Sequence, residues 1–220
     1  MKDSAVRRLS TSSRHRVGLR EHDVHARTVE PALFSLDQLN KMKTIRSNRL
    51  TLIPSTLAHV RTELEAPNQL ATLLGAVVST DWPTGEYDRD AMEFFRARME
   101  EGGEAVEGWY GWYAVRELDE EGPRALVGAG GYFGPPDGQG TVEVGYSVLP
   151  EWQRRGYASE MVELLVKHAF TFDDVEIAIA HTTAANPASI AVLLRCGFHA
   201  AGAGREVNTL RFECSRGRLA

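Results

Sequence analysis

The residues with the strongest chemical character lie together in Val148-Leu149-Pro150-Glu151-Trp152-Gln153-Arg154-Arg155-Gly156-Tyr157-Ala158-Ser159. A β-branched, apolar run ends there, two arginines follow, and Gly156 opens a stretch with helical periodicity. The first amides of a helix have no intrahelical partner. They point at one spot, where the helix dipole favours negative charge. Gly156 and Ala158 lack bulk, so a phosphate could approach the backbone, and Arg154 and Arg155 add positive charge. The pattern fits an anion cradle. On these residues alone, an ordinary strand-to-helix turn with solvated arginines fits equally well.

Glu143 is the next candidate. Val142, Val144, Tyr146 and Val148 share one face of a strand, and Glu143, Gly145 and Ser147 share the other. An acid in a central strand needs a reason, either a structural ion pair or proton transfer. His181 closes a later apolar run, and a polar strand end is its simplest role. Asp81, Glu86, Asp88 and Asp90 cluster around Trp82. They suit either the attraction of a cationic group or, for Asp88, a plain helix cap. Cys196 and the aromatic residues Trp109, Tyr110, Trp112 and Tyr113 read chiefly as core.

The elements that must position these groups follow from the pattern. A short strand covers Leu50–Ile53; Pro54 stops it, and Ser55 is placed to cap a helix running to Leu64. Further helices are expected over Asn68–Gly75 and from Asp88 to Met99, the latter ended by Gly102-Gly103. Strands follow over Trp109–Arg116, Leu126–Phe133 and Thr141–Leu149. A helix over Gly156–Phe170 carries Ala158, Met161, Leu165 and Ala169 on one stripe. Then come a strand at Val175–Ala180, a helix at Pro187–Arg195 closed by Gly197, and a strand at Thr209–Cys214. This order predicts an α/β fold with a mixed, largely antiparallel sheet flanked by helices.

Composition narrows the function classes. The chain has 220 residues, 43% of them hydrophobic, which suits one domain with a full core. Residues 1–41 are rich in Arg, Ser and His, carry a net charge of +3, and are expected to be a disordered basic extension. Residues 42–220 carry −8 and form the expected domain. An acidic body disfavours nucleic acid and suits an amine-bearing partner. No apolar run is long enough for a membrane helix, and no secretory signal pattern is seen. Two cysteines make a disulfide framework improbable, and no metal-ligand spacing occurs. A cytoplasmic monomer or homodimer is the simplest expectation.

Two motifs give these residues a family. Gln153-x-x-Gly156-x-Ala158 resembles the acetyl-CoA-binding motif of the GNAT superfamily of N-acetyltransferases, and the preceding strand and following amphipathic helix match as well. Asn186-Pro187-Ala188-Ser189 through Arg195-Cys196-Gly197-Phe198 resembles that family's later motif, an asparagine-led helix ending in Gly-Phe. Arg49-Leu50-x-Leu52 before Pro54 looks like the opening of the branch that acts on ribosomal-protein N-termini. The resemblance spans about residues 44–214.

It implies a fold in which two parallel strands, Thr141–Leu149 and Val175–Ala180, splay apart around acetyl-CoA. Val148 and Leu149 would bond the pantetheine arm through their backbones. Gln153 belongs to the motif, and the amides of Arg154, Arg155, Gly156, Tyr157, Ala158 and Ser159 would hold the pyrophosphate. Asn186 would bond the pantetheine or a water beside it. An amide at a bulge near Ser147 or Val148 would stabilise the oxyanion. The amine would attack directly, with Glu143 as general base acting through water. Family members often carry a tyrosine where this sequence has Leu193, so Ser189 is the candidate proton donor to the leaving thiolate. The acceptor is expected to be a protein N-terminal amine or a small amine, bound near the early helices and the Trp82 loop. A non-catalytic acyl-CoA-binding or regulatory module would share the cradle and is the alternative.

Overall fold

The computed structural model describes residues 43–85, 87–120 and 122–218. The expected N-terminal extension and Glu86 lie outside them. The strands are β1 (Ile45–Arg46), β2 (Leu50–Pro54), β3 (Gly111–Arg116), β4 (Ala125–Tyr132), β5 (Thr141–Val148), β6 (Ile177–Thr183), β7 (His199–Ala203) and β8 (Thr209–Ser215). The α-helices are α1 (Leu57–Glu65), α2 (Leu70–Leu74), α3 (Arg89–Gly102), α4 (Tyr157–Ala169) and α5 (Pro187–Arg195). The strands form a single sheet in the order β1-β2-β3-β4-β5-β6-β8-β7. All neighbours run antiparallel except β5 and β6, which are parallel and joined through α4. The fold is the expected mixed α/β sheet flanked by helices.

Alternation along the strands divides the core in two. Trp112 and Ala114 of β3 pack with Met161 and Leu165 of α4 and Leu193 of α5. Tyr113 and Val115 pack on the other face with Val60, Leu70, Met92, Phe95 and Met99 of α1–α3. Helix α4 lies close to the sheet because β4 offers a glycine beneath it: a Cβ on Gly130 would come within 2.7 Å of the Met161 sulfur.

Several boundaries differ from the sequence expectation, each for a local reason. Thr56, not Ser55, caps α1, its Oγ1 accepting from the His59 amide. Ser55 instead turns inward and donates to the Gly111 carbonyl at 2.8 Å. The second helix is shorter than Asn68–Gly75: Pro67–Gln69 is a 3-10 turn, and the α-helix begins at Leu70. Strand β6 lies about three residues later than Val175–Ala180. Val175 is fully buried but precedes the ladder, whereas polar His181 to Thr183 continue it against β8.

Candidate active site

Strands β5 and β6 pair only over Thr141–Ile177, Val142–Ala178 and Glu143–Ile179. Beyond Glu143 they part. Each keeps its outer neighbour: β5 stays paired with β4 as far as Val148, and β6 stays paired with β8 as far as Thr183. A wedge therefore opens in the sheet, between residues 144–148 and 180–183.

The ladder fixes which backbone groups face this wedge. Leu149 donates to the Val127 carbonyl at 2.9 Å, and Phe133 donates to the Glu143 carbonyl at 3.0 Å. Antiparallel bonding alternates in steps of two. Ser147 and Gly145 thus bond towards β4, and Tyr146 and Val148 turn their amides to the wedge. This corrects two expectations. Leu149 spends its amide in the ladder and its carbonyl on Trp152 at 2.9 Å, so only Val148 of that pair faces the gap. Nor does β5 carry a bulge against β4; the register shift lies between Ala114 and Val115, in the β3–β4 pair.

At the wide end of the wedge the chain forms the cradle. Arg154 and Gly156 both have positive φ, 61° and 87°. Gly156 is the N-cap of α4 and brings no side-chain cap, so the helix start is left for another acceptor. Gln153 acts structurally, because its Nε2 donates to the Val148 carbonyl at 3.0 Å and ties the loop to the strand end. Trp152 lies between the Arg116 and Arg155 guanidinium groups, 5.3 and 5.1 Å from its ring.

Arg49, which the sequence offered only as part of an opening motif, reaches this loop. Its Nε donates to Glu160 at 2.9 Å, its Nη1 to the Arg155 carbonyl at 3.1 Å, and its guanidinium lies 4.8 Å from the Tyr157 ring. Glu160 is an acid in the first turn of α4. The Arg49 cation offsets a negative charge that would otherwise oppose an anion there. Leu50 and Leu52 of the same motif are fully buried core.

Two side-chain groups flank the narrower part. On the α5 side, Asn186 caps the helix, its Oδ1 accepting from the Ser189 amide at 3.0 Å. The Ser189 hydroxyl meets the Tyr146 hydroxyl at 2.9 Å, and Tyr146 also donates to the Ser189 carbonyl at 3.2 Å. Burial pushes the Tyr146 phenol up to about 12, against the opposing pull of its bond to Ser189. Sequence reasoning misses Tyr146 as a site residue, although its place on the Val142–Val148 face is legible. Leu193, at the position where the family resemblance led to an expected tyrosine, is fully buried in the core.

At the apex, Glu143 and His181 come together. The Glu143 carboxylate lies 2.8 Å from His181 Nδ1 and 3.4 Å from Arg205 Nη2. Glu143 and His181 are only 20% and 15% exposed, so the pair is sheltered but reachable. The Trp82 loop covers the face that Glu143 shares with Ser147: a Cβ on Gly85 would meet Ser147 Oγ at 2.2 Å. Asp88 is the α3 cap, accepting from the Ala91 amide, and Asp81 and Asp90 are exposed. Cys196 packs in the core, where burial raises its thiol to about 11. Among the described residues no cluster of three or more His, Cys, Asp or Glu could hold a metal, and no helix is long and apolar enough to cross a membrane.

Comparison with known proteins bears on the family and the fold. The chain is 25% identical over 157 residues to the uncharacterised N-acetyltransferase YjdG of Bacillus subtilis, covering 71% of this chain and 90% of the relative. Its fold is similar to that of spermidine N-acetyltransferase from Vibrio cholerae, solved with CoA and spermine (TM-score 0.52, 16% identity, 78% of this chain and 98% of that one). It is also similar to the microcin C7 self-immunity acetyltransferase MccE, solved with acetyl-CoA and AMP (TM-score 0.51, 13% identity, 77% and 93%). The acetyltransferase (GNAT) domain family matches residues 49–199, which take in the wedge, the cradle and both motifs, and the chain belongs to that family of acyltransferases.

Proposed function

We propose that the chain transfers an acetyl group from acetyl-CoA to the α-amine of a peptide or protein N-terminus, by direct attack and without a covalent enzyme intermediate. The observation that carries this reading is the parting of β5 from β6 beyond Glu143, with an uncapped helix start and two left-handed residues at its open end. That shape accommodates an extended amide-bearing arm leading to a pyrophosphate. Acetyl-CoA supplies the activated acyl group.

The chain's own residues divide the work. Amides from Arg154 to Ser159 hold the pyrophosphate, with Gln153 fixing their loop. The Val148 amide, turned into the wedge beside the cradle, bonds the extended arm of the cofactor rather than its acyl end. Asn186 has an amide nitrogen that is not part of its helix cap, suited to bonding the arm. Glu143, oriented by His181, accepts the amine proton directly or through a water.

On the leaving-group side, magnitudes decide the role of the Tyr146–Ser189 pair. A phenol near 12 is a poor proton donor to a thiolate whose acid has a pKa of about 8.5. Full transfer would be strongly uphill. Tyr146 therefore orients Ser189: with the phenol proton turned from the Ser189 carbonyl to its hydroxyl, the serine proton is left to hydrogen-bond the developing thiolate, and water delivers the proton.

The choice of an α-amine rests on the cost of the free base. At pH 7 a lysine-type amine costs about 4.6 kcal/mol to deprotonate, and an α-amine about 1 kcal/mol. Glu143 already bonds His181 and forms an ion pair with Arg205, so the amine that is cheaper to deprotonate suits it. The Arg49-Leu50-x-Leu52 opening, similar to that of the ribosomal-protein branch, points the same way.

The test is release of free CoA, with acetyl-CoA present, on addition of peptides with free or blocked N-termini, lysine side-chain analogues and polyamines. Release with the free N-terminus and none with the same peptide blocked is the expected result. Release only with polyamines would move the acceptor to small amines. A rise in melting temperature with acetyl-CoA but no release across the panel would make the chain a binding module.

A further inference from the structure

Helix α1 carries an acid on its buried stripe. Val60 and Glu63 are its buried residues, three positions apart, and Glu63 is only 7% exposed. The carboxylate gathers three donors from two other parts of the fold. Trp82 Nε1 donates to Oε1 at 2.7 Å. The Tyr87 and Tyr113 hydroxyls donate to Oε2 at 2.6 and 2.5 Å. All three donors are neutral, and among the described residues no cation pairs with this acid. Such burial is costly for a carboxylate, and it raises the Glu63 pKa against the pull of the three bonds. An apolar side chain would fill the space without that cost.

What the carboxylate adds is direction. Trp82 and Tyr87 lie in the segment between α2 and α3, and Tyr113 lies on β3. Their rings pack around the acid, with centroids 5.3 Å apart for Trp82–Tyr87 and 6.4 Å for Tyr87–Tyr113. Between the two loop donors sits Gly85, seated against Ser147. The register places Tyr113, Ala129 and Ser147 opposite one another in one row across three strands. Residues in such a row share a face. Tyr113, which holds the acid, and Ser147 are thus two strand spacings apart, roughly 10 Å, on the face that also carries Glu143.

We propose that Glu63 is the positioning residue of the acceptor site: by gathering Trp82, Tyr87 and Tyr113 it fixes residues 79–85 and 87–88 over the Ser147 row and so sets the wall against which the amine binds. The inference rests on the amine acetyltransferase reading, with the acceptor on this face. Hydrogen bonds to one carboxylate give the loop a single placement, which ring packing alone does not.

The experiment compares the full chain with Glu63→Ala, Glu63→Gln and Trp82→Phe. Acceptor KM, acetyl-CoA KM and kcat are measured, together with hydrogen exchange of the loop amides. Glu63→Ala is expected to raise acceptor KM about tenfold while acetyl-CoA KM and kcat change less than about threefold, the mark of lost uniform acceptor binding. Exchange in residues 79–85 and 87–88 should quicken, as for a locally released segment. Glu63→Gln, which keeps the shape and an acceptor oxygen, should restore most of the KM. Should Glu63→Ala fail to fold, Trp82→Phe removes one donor, keeps a ring, and should shift the same two readouts by a smaller factor. Unchanged acceptor KM with unchanged loop exchange overturns the inference, as does a matching loss of acetyl-CoA binding. Failure of the acetyltransferase reading is seen separately, as wild-type protein that releases no CoA with any amine; the positioning role then stands or falls on loop exchange.

Discussion

Replacing Glu143 with glutamine tests the chemistry most directly, because the structure separates its possible jobs. The substitution keeps the shape at the wedge apex and an oxygen that can accept from His181 Nδ1, 2.8 Å away. It removes the ability to take a proton. Loss of a positioned general base costs about 10²–10⁴ in rate. The defect should shrink as pH rises, since solution then supplies the free amine. An α-amine is about one-tenth neutral at pH 7 and about nine-tenths neutral at pH 9, so the variant should gain roughly tenfold. A lysine-type amine goes from about 0.04% to about 4% neutral over the same range and should gain roughly a hundredfold. The assay is kcat/KM for a defined peptide from pH 7 to pH 9, wild type beside variant, with acetyl-CoA saturating. A variant within twofold of wild type at pH 7 would refute the base role and leave Glu143 as the anchor of an ion-pair cluster with His181 and Arg205. A steep loss that no pH relieves would mean the carboxylate holds structure.

Two more outcomes follow from the same contacts. Tyr146→Phe and Ser189→Ala each remove part of one hydroxyl network and should lower kcat by about five- to thirtyfold, the range of about 1–2 kcal/mol for a lost hydrogen bond. The double variant should be far from additive, because the two groups act as one, and calorimetry should show acetyl-CoA affinity nearly unchanged. Glu63 should also mark the stability curve. Burial holds its carboxyl above the ordinary value of 4.5, so the folded chain binds that proton more tightly than the unfolded chain does. Its contribution is therefore most favourable below about 4.5 and declines as pH rises through the raised folded value, at up to about 1.4 kcal/mol per pH unit. Urea unfolding of wild type and Glu63→Gln from pH 4 to pH 7 should show the gap moving in favour of glutamine; a constant gap would contradict the burial argument.

The sequence showed most clearly what short-range pattern can carry. The stripe Ala158, Met161, Leu165, Ala169 belongs to the buried side of α4, and Asn186 and Asp88 cap their helices as such residues do before helical runs. Strand β7 escaped because His-Ala-Ala-Gly-Ala lies exposed on the sheet edge and has no buried face to leave a pattern. Strand β1 is two residues long and exists only through its pairing with β2. The end of β6 was hidden because His181, Thr182 and Thr183 are polar, which in isolation reads as a turn; β8 supplies their partners. The site divides the same way. The cradle is local and visible. The Glu143–His181 contact joins residues 38 apart, and the Tyr113–Glu63 bond joins residues 50 apart, so neither leaves a sequence spacing to find. A faint signal existed for Glu63: an acid three positions after Val60, on the apolar side of its helix.

The parting of β5 and β6 explains why binding and chemistry share one place. A strand cannot leave buried backbone amides and carbonyls without partners at low cost. Strand β5 satisfies its other edge on β4, and β6 satisfies its other edge on β8, so the inner edges at Tyr146 and Val148 are an open ladder inside a sheet. The Val148 carbonyl is met by Gln153, which shields one such group; the Val148 amide is left to face the wedge. An extended ligand with its own amides completes a ladder of this kind much as an added strand would. The sheet thereby fixes the ligand's depth by hydrogen-bond register and its outer end by the α4 amides. The narrow end of the same wedge is the last paired position of β5, and the residue there is Glu143. Its proton-accepting group therefore needs no separate loop to be held at the reacting end: the point where two strands stop pairing sets both how far the ligand enters and where the carboxylate stands.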